Sequence, residues 1–570
     1  MTLRALLLST LACTALIGCG GNKASPHPDA LIETRQGPIQ GVTTDTDGIY
    51  TFNGIPYAAT PIGDLRWAAP ETPPTWTDTR LASDFGNRCM QPASMEGGFL
   101  DRLIEGQGLS SLKTWAIKRV IASGEALPMS EDCLYLNVRT GAKDSDEKKP
   151  VMVWIHGGGH QFGSADTSFY QANGLVEKDV VLVTINYRLG VFGYMAHPAL
   201  SADDPNGVSG NYGTLDQMAA LKWVREYIGA YGGDASNITI FGESAGAWSV
   251  TELMASPLAA GLFDKAIAQS GASTYHMGLM DGDGVGWPSG YSMGENVAQA
   301  VGLDNPTAVE LRAVPADKIM ANLPDKADEA FHHIRDGYVF PKNVGHAFQT
   351  GEINAVPFMT GYNADEATLF FPDDPEPSVW IEGLSREEAE KQREMLDAAY
   401  PGQGAKLQNL YGLAEDFEAG GEAMMGDDIF GVNIRFAAES NEATGQPSFA
   451  YFFNRLPPSN KQTVGAYHTA EIPFVFNSIE PALGNSEADV VLANVMGTYW
   501  TNFAKSGNPN TPITPEIAWP VYAGQNWMVL SANTGAPIAE VQADIRKDKL
   551  DALETGLELK LQDLETVLNP

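Results

Sequence analysis

The chain has 570 residues, 44% of them apolar, enough for several domains or for one large α/β unit with a substantial core. Its 36 basic residues face 71 acidic ones, and the formal charge of −35 repels nucleic acid and anionic lipid headgroups. That balance describes a heavily solvated acidic surface and excludes partners without naming one.

Residues 1–18 carry one charge, Arg4, ahead of the apolar stretch from Ala5 to Ile17. The stretch is too short for a permanent bilayer span and has the anatomy of a secretory signal. It ends in Leu16-Ile17-Gly18-Cys19, which resembles a bacterial lipobox. The resemblance implies cleavage before Cys19, lipidation of its thiol and, with Gly20 following, the outer membrane; the alternative is a plain secretory signal cut elsewhere. Residues 19–30 have the composition of a tether. An exported, periplasmic or cell-surface lipoprotein is expected, touching membrane only through Cys19. Setting aside Cys13 and Cys19 leaves Cys89 and Cys133, an even pair that reads as a disulfide in an oxidising compartment. No Cys/His set has metal-ligand spacing, so neither metal nor cofactor is expected.

In chain order, residues 31–53 alternate short apolar runs with Gly-Pro, Asp-Gly and Asn-Gly turns, the pattern of a small antiparallel meander. A Pro-rich loop follows over 57–76. A Gly- and Ser-punctuated insert spans about 93–130, where it could lie near a catalytic mouth. Strands are expected at 134–138, 150–155, 180–185 and 238–241, with an amphipathic helix over 215–231. Strands alternating with helices point to an α/β fold: a large, mainly parallel sheet with helices on both faces. Residues 31–570 read as one catalytic domain without internal repeats, closed by an amphipathic helix over 543–568.

The most informative stretch is Ile238-Thr-Ile-Phe241 followed by Gly242-Glu-Ser244-Ala-Gly246. A strand that turns sharply into a helix needs glycines where a Cβ would clash, and the turn leaves the Ser244 hydroxyl exposed at its apex. A second Gly-x-Ser-x-Gly, around Ser292, follows a Gly/Pro-rich stretch that cannot be a strand, and is set aside. A serine needs a base and a group that orients the base. Among nine histidines, His468 lies in a Gly-bounded loop after the strand-like 449–453, where this architecture would bring a base. Of many carboxylates, Glu366 lies just past the strand-like 356–360, where ligand-facing groups collect in open α/β sheets. The oxyanion of an acyl-transfer intermediate needs preorganised donors. His156-Gly157-Gly158-Gly159, directly after a strand, and the N–H of Ala245 could provide them. An ordinary imidazole base would lose activity below about pH 6 to 7.

The chain resembles the type-B carboxylesterase family, the esterase and cholinesterase branch of the α/β-hydrolases. The resemblance lies in the stretches 131–138 (Glu-Asp-Cys-Leu-Tyr-Leu-Asn-Val) and 231–246. Further similar stretches are Asn186-Tyr-Arg-Leu-Gly190, 210–217, Gln269-Ser-Gly271 and 499–510, and the likeness runs from about Gly37 to about Leu530. It implies the α/β-hydrolase fold and nucleophile–acid–base order, with Ser244, Glu366 and His468 in those roles. It also implies an oxyanion hole from Gly158, Gly159 and Ala245, a Cys89–Cys133 disulfide, and hydrolysis of a small-molecule ester, small to medium and hydrophobic or aromatic. The sequence departs from the family at Tyr231, His160 and Ala367; of these, His160 is expected to reshape the acyl pocket. The alternatives are an amidase or lipase on the same scaffold, or a binding or adhesion relative that has lost the triad.

Overall fold

The continuous apolar runs of the sequence become the middle of one 13-stranded sheet. A computed structural model describes residues 26–92, 95–123, 127–275, 277–282, 288–323, 331–370, 389–479 and 485–568. The stretch expected to be a secretory signal and Cys19 lie outside these residues. The principal strands are β1 (Pro26–Glu33), β2 (Pro38–Thr43), β3 (Tyr50–Pro56), β4 (Tyr135–Thr140), β5 (Lys149–Ile155) and β6 (Val181–Ile185). They continue as β7 (Gly233–Glu243), β8 (Lys265–Gln269), β9 (Phe358–Asn363), β10 (Ser448–Phe453), β11 (Asn526–Leu530) and β12 (Ala539–Ala543). Their order across the sheet is β1-β2-β3-β4-β6-β5-β7-β8-β9-β10-β11-β12, with the short Arg80–Leu81 strand beside β2.

From β6 to β11 every neighbour is parallel, while β1 to β4 form an antiparallel meander and β12 closes the far edge antiparallel. Parallel neighbours need crossovers, which here place helices on both faces. Side chains alternate along each strand, so both faces are apolar. Val151, Val153 and Ile155 of β5 join one core, with the helices Tyr212–Tyr227, Ala245–Ala255, Val432–Ala443 and Lys547–Leu568. Met152 and Trp154 join the other, against the helix Glu487–Ser506. The closing helix is docked through Leu550, Leu553, Leu557 and Leu561, all buried.

Two expectations need correction. β1 begins at Pro26, inside the stretch read as tether. Pro26 pairs with Val42, Gln40 donates to the His27 carbonyl at 2.7 Å, and the His27 ring packs on Tyr50, so Pro-His-Pro is strand rather than linker. The helix expected over 215–231 runs from Tyr212 to Tyr227 and tightens into a 3₁₀ turn at Ile228–Tyr231.

The register aligns the strand ends that carry the site. Gly242 of β7 pairs with Ile155 of β5, Glu243 with Gln269 of β8, and Gly361 of β9 with Gln269. The chains leaving β5, β7, β8 and β9 therefore emerge along one edge.

Candidate active site

Ser244 occupies the step from β7 into the helix Ala245–Ala255, with φ 57° and ψ −125°. Its N–H donates to the Gln269 carbonyl at 2.9 Å, and its carbonyl accepts from Ala247 and Trp248 at 2.9 and 3.0 Å. These bonds hold an otherwise unfavourable conformation. The turn is tight because the helix passes directly over β5: a Cβ on Gly246 would lie 2.1 Å from the Ile155 carbonyl oxygen. Ser292, by contrast, lies on the helix Gly290–Ala300 and has none of this geometry.

The glycine run abuts the serine. A Cβ on Gly157 would stand 3.0 Å from the Ser244 Cβ. Gly158, at φ 105°, has its carbonyl turned to accept from the Gln161 and Phe162 N–H groups at 2.9 and 3.1 Å, so the loop folds back on itself. Gly158 and Gly159 are half-buried, whereas Ala245 is fully buried at the first position of the helix. His156 faces inward, stacked on Tyr187, and burial pushes its imidazole down to about 4.

His468 and Glu366 are in direct contact. His468 Nδ1 lies 2.6 Å from Glu366 Oε2, and the other carboxylate oxygen accepts from the Asn363 N–H at 2.6 Å. Glu366 comes directly off β9, and its loop is tied to the histidine loop. Asp365 N–H donates to the Ala466 carbonyl, the Asp365 carboxylate accepts from Ala466 N–H at 2.7 Å, and Asp365 and Tyr467 form a parallel bridge. The rings of Phe370 and Phe430 lie 5.2 and 4.9 Å from the His468 ring. Phe370 in turn meets Phe99 of the helix Met95–Gly106, and Arg102 of that helix donates to the Leu369 carbonyl at 2.8 Å. The helix Met95–Gly106 of the 93–130 insert thus lies against the loop that carries Glu366.

Two further carboxylates complete the network. Glu243 Oε1 stands 3.1 Å from His468 Nε2. Glu471 accepts from Gln269 Nε2 at 3.0 Å and from Asn363 Nδ2 at 2.7 Å. Neither was singled out from the sequence, although Glu243 directly precedes Ser244 and Glu471 follows His468 by three residues. Burial raises Glu243 well above the usual carboxylate range, and Glu471 rises for the same reason. Burial alone would lower His468; Glu243, Glu366 and the Glu366 hydrogen bond outweigh it and hold the imidazole at about 9. Glu243 and His468 compete for one proton. Nε2 makes no hydrogen bond among the described residues. Bonds between base and nucleophile are commonly loose in ligand-free hydrolases and tighten around substrate.

Cys89 and Cys133 are bonded to each other. The resemblance motifs also find partners: Arg188 of the 186–190 stretch forms a bidentate, buried pair with Asp216 of the 210–217 stretch, both contacts at 2.7 Å. His160 departs from expectation. Fully buried, with Nε2 2.8 Å from Ser249 Oγ, it faces the interior behind the glycine loop and does not line an acyl pocket. A surface cleft of about 400 Å³ beside the helix Tyr212–Tyr227 shares none of the residues of this site.

The model of the carboxylesterase family matches residues 28–552. The fumonisin B1 esterase of Sphingopyxis macrogoltabida is 32% identical over 515 residues, covering 88% of this chain and 87% of its own. The para-nitrobenzyl esterase of Bacillus subtilis is 33% identical over 510 residues, covering 86% and 92%. Among solved structures, carboxylesterase EST55 of Geobacillus stearothermophilus superposes with a TM-score of 0.74 at 30% identity, covering 92% of this chain and 100% of its own. Fold, motifs and relatives agree: this chain belongs to the carboxylesterase family and is a carboxylic ester hydrolase.

Proposed function

We propose that Ser244 attacks the ester carbonyl while His468 takes its proton through Nε2. Glu366 fixes the imidazole through Nδ1 and stabilises its positive form. The N–H groups of Gly158, Gly159 and Ala245 receive the oxyanion. The tetrahedral adduct expels the alcohol, which takes the proton held by His468. Water, activated by the same imidazole, then cleaves the acyl-enzyme. The observation that carries this reading is the 2.6 Å His468–Glu366 contact, on loops beside the same sheet edge as Ser244. A covalent serine-hydrolase probe tests it: the native chain should label and Ser244→Ala should not. Labelling that survives the substitution would assign the nucleophile elsewhere.

For the substrate, the reading is a small to medium ester with a hydrophobic or aromatic portion. The Phe370 and Phe430 rings beside the base, with Phe99 packed against Phe370, support it. Turnover should rise with apolar acyl or alcohol size among soluble esters, and a panel that prefers acetyl esters of small polar alcohols would count against it. For location, the reading is an exported lipoprotein anchored through Cys19, with residues 19–25 as tether. The Leu16–Cys19 stretch supports it, as does a Cys89–Cys133 disulfide suited to an oxidising compartment. Metabolic labelling with a fatty acid should mark the native chain and not Cys19→Ser.

A further inference from the structure

Behind the glycine loop, three ionisable side chains from distant parts of the sequence meet in an enclosed space. His160 directly follows the glycine run, Glu252 lies on the nucleophile helix, and His333 immediately precedes the short strand Ile334–Arg335. Their exposures are 0%, 0% and 1%. One donor atom from each lies within 4.8 Å of the other two. Glu252 Oε2 is 2.7 Å from His333 Nε2, and the two imidazole rings meet edge-on with centroids 4.4 Å apart.

Among the described residues, and apart from the 2.7 Å His333–Glu252 contact, no hydrogen bond satisfies His160 Nδ1, His333 Nε2 or either oxygen of Glu252. Buried polar atoms are rarely left in that state, because each has given up water for nothing. A simple His333–Glu252 ion pair would account for one nitrogen and one oxygen and leave the other two atoms without a purpose. His160 is also oriented as ligand histidines are: its second nitrogen is held at 2.8 Å by Ser249 Oγ, which receives the Gln217 amide at 2.8 Å. Tyr194 walls the space, its ring 5.3 and 5.1 Å from the His160 and His333 rings.

We propose that His160, Glu252 and His333 form a structural site for one divalent transition-metal ion of the zinc class. Two imidazoles and one carboxylate are a borderline nitrogen/oxygen donor set, which suits zinc or cobalt and not calcium or magnesium. The ion clamps the oxyanion loop to the nucleophile helix from behind. It takes no part in the ester chemistry, because its three ligands are fully buried behind the loop. Sequence spacing cannot reveal such a site, since its three ligands come from separate segments.

The test compares the full chain with Glu252→Gln, which keeps side-chain volume but removes the anionic ligand. Both are produced with excess zinc and weighed by native mass spectrometry, with metal content measured in parallel. The native chain should carry one ion per chain, absent from Glu252→Gln. Refolding with a chelator should lower the thermal midpoint of the native chain and leave that of Glu252→Gln unmoved. Should the variant fail to fold, cobalt-loaded native protein gives the answer alone: a visible ligand-field band and X-ray absorption with two histidine neighbours are expected. Equal metal in both proteins, or no metal and no cobalt spectrum in the native chain, overturns the proposal and leaves the cluster as a bare ion pair.

Discussion

Two buried clusters stand on either side of one loop, and they differ in how their polar atoms are matched. In front of Gly157–Gly159, both oxygens of Glu366 and both of Glu471 accept hydrogen bonds from protein groups, while Glu243 Oε1, 3.1 Å from His468 Nε2, has none among the described residues. Behind the loop, both oxygens of Glu252 are without one among the described residues, Oε2 facing His333 Nε2 at 2.7 Å. A carboxylate surrounded by matched donors is built to hold charge while a proton moves beside it. A carboxylate facing two imidazoles without matched donors is built to hold something else. Substitutions in front should therefore cost rate and spare the fold, while those behind should do the reverse.

The largest expected effect is in front: Ser244→Ala should lower kcat by about 10⁴ to 10⁶-fold with an unchanged thermal midpoint. A stopped assay on a chromogenic ester, read beside calorimetry, checks both halves. Glu366→Gln should cost about 10³ to 10⁴-fold, because the amide favours the wrong imidazole tautomer at Nδ1. If its loss were below tenfold, the acid would have to be sought elsewhere. Behind the loop, Glu252→Gln should destabilise the fold by about 3 kcal/mol while kcat/KM stays within a few fold. Chemical denaturation and steady-state kinetics on the same preparation separate the two. Equal losses of rate and stability would erase the division between the clusters. The smallest effect concerns pH. With His468 held at about 9 and needed neutral, kcat/KM should keep rising as pH climbs through neutrality, beyond the range of an ordinary histidine. Glu243→Gln removes a carboxylate beside Nε2, so the imidazole loses its proton more easily and the rise should move to lower pH. A profile that does not move would detach Glu243 from the base.

What could be read in advance follows what the chain encodes locally. Ser244 was singled out because a tight turn after a β-branched strand needs glycines on either side of the serine, and Glu366 because it lies just past another strand. His468 was singled out by its Gly-bounded loop and by resemblance, and the Cys89–Cys133 disulfide was legible through compartment and resemblance. The parallel middle of the sheet was announced by apolar runs such as 151–155, buried on both faces. The misreadings have physical causes. Pro26-His-Pro28 has linker composition, yet one edge pairing with β2 is enough to make it strand. The inward orientation of His160 depends on Ser249 and His333, which only the fold brings near. Glu243 and Glu471 were in plain view, but a carboxylate shows its role only once its neighbours are known.

The bridge between Asp365 and Tyr467 also bears on how such an enzyme can be altered. The Glu366 and His468 segments are sewn together by backbone as well as by the 2.6 Å contact, while Ser244 rides on a separate strand. Loop grafting aimed at new selectivity should therefore treat 365–366 and 465–468 as one cassette. Exchanging either half alone would leave a charged group pointing at a seam that no longer closes.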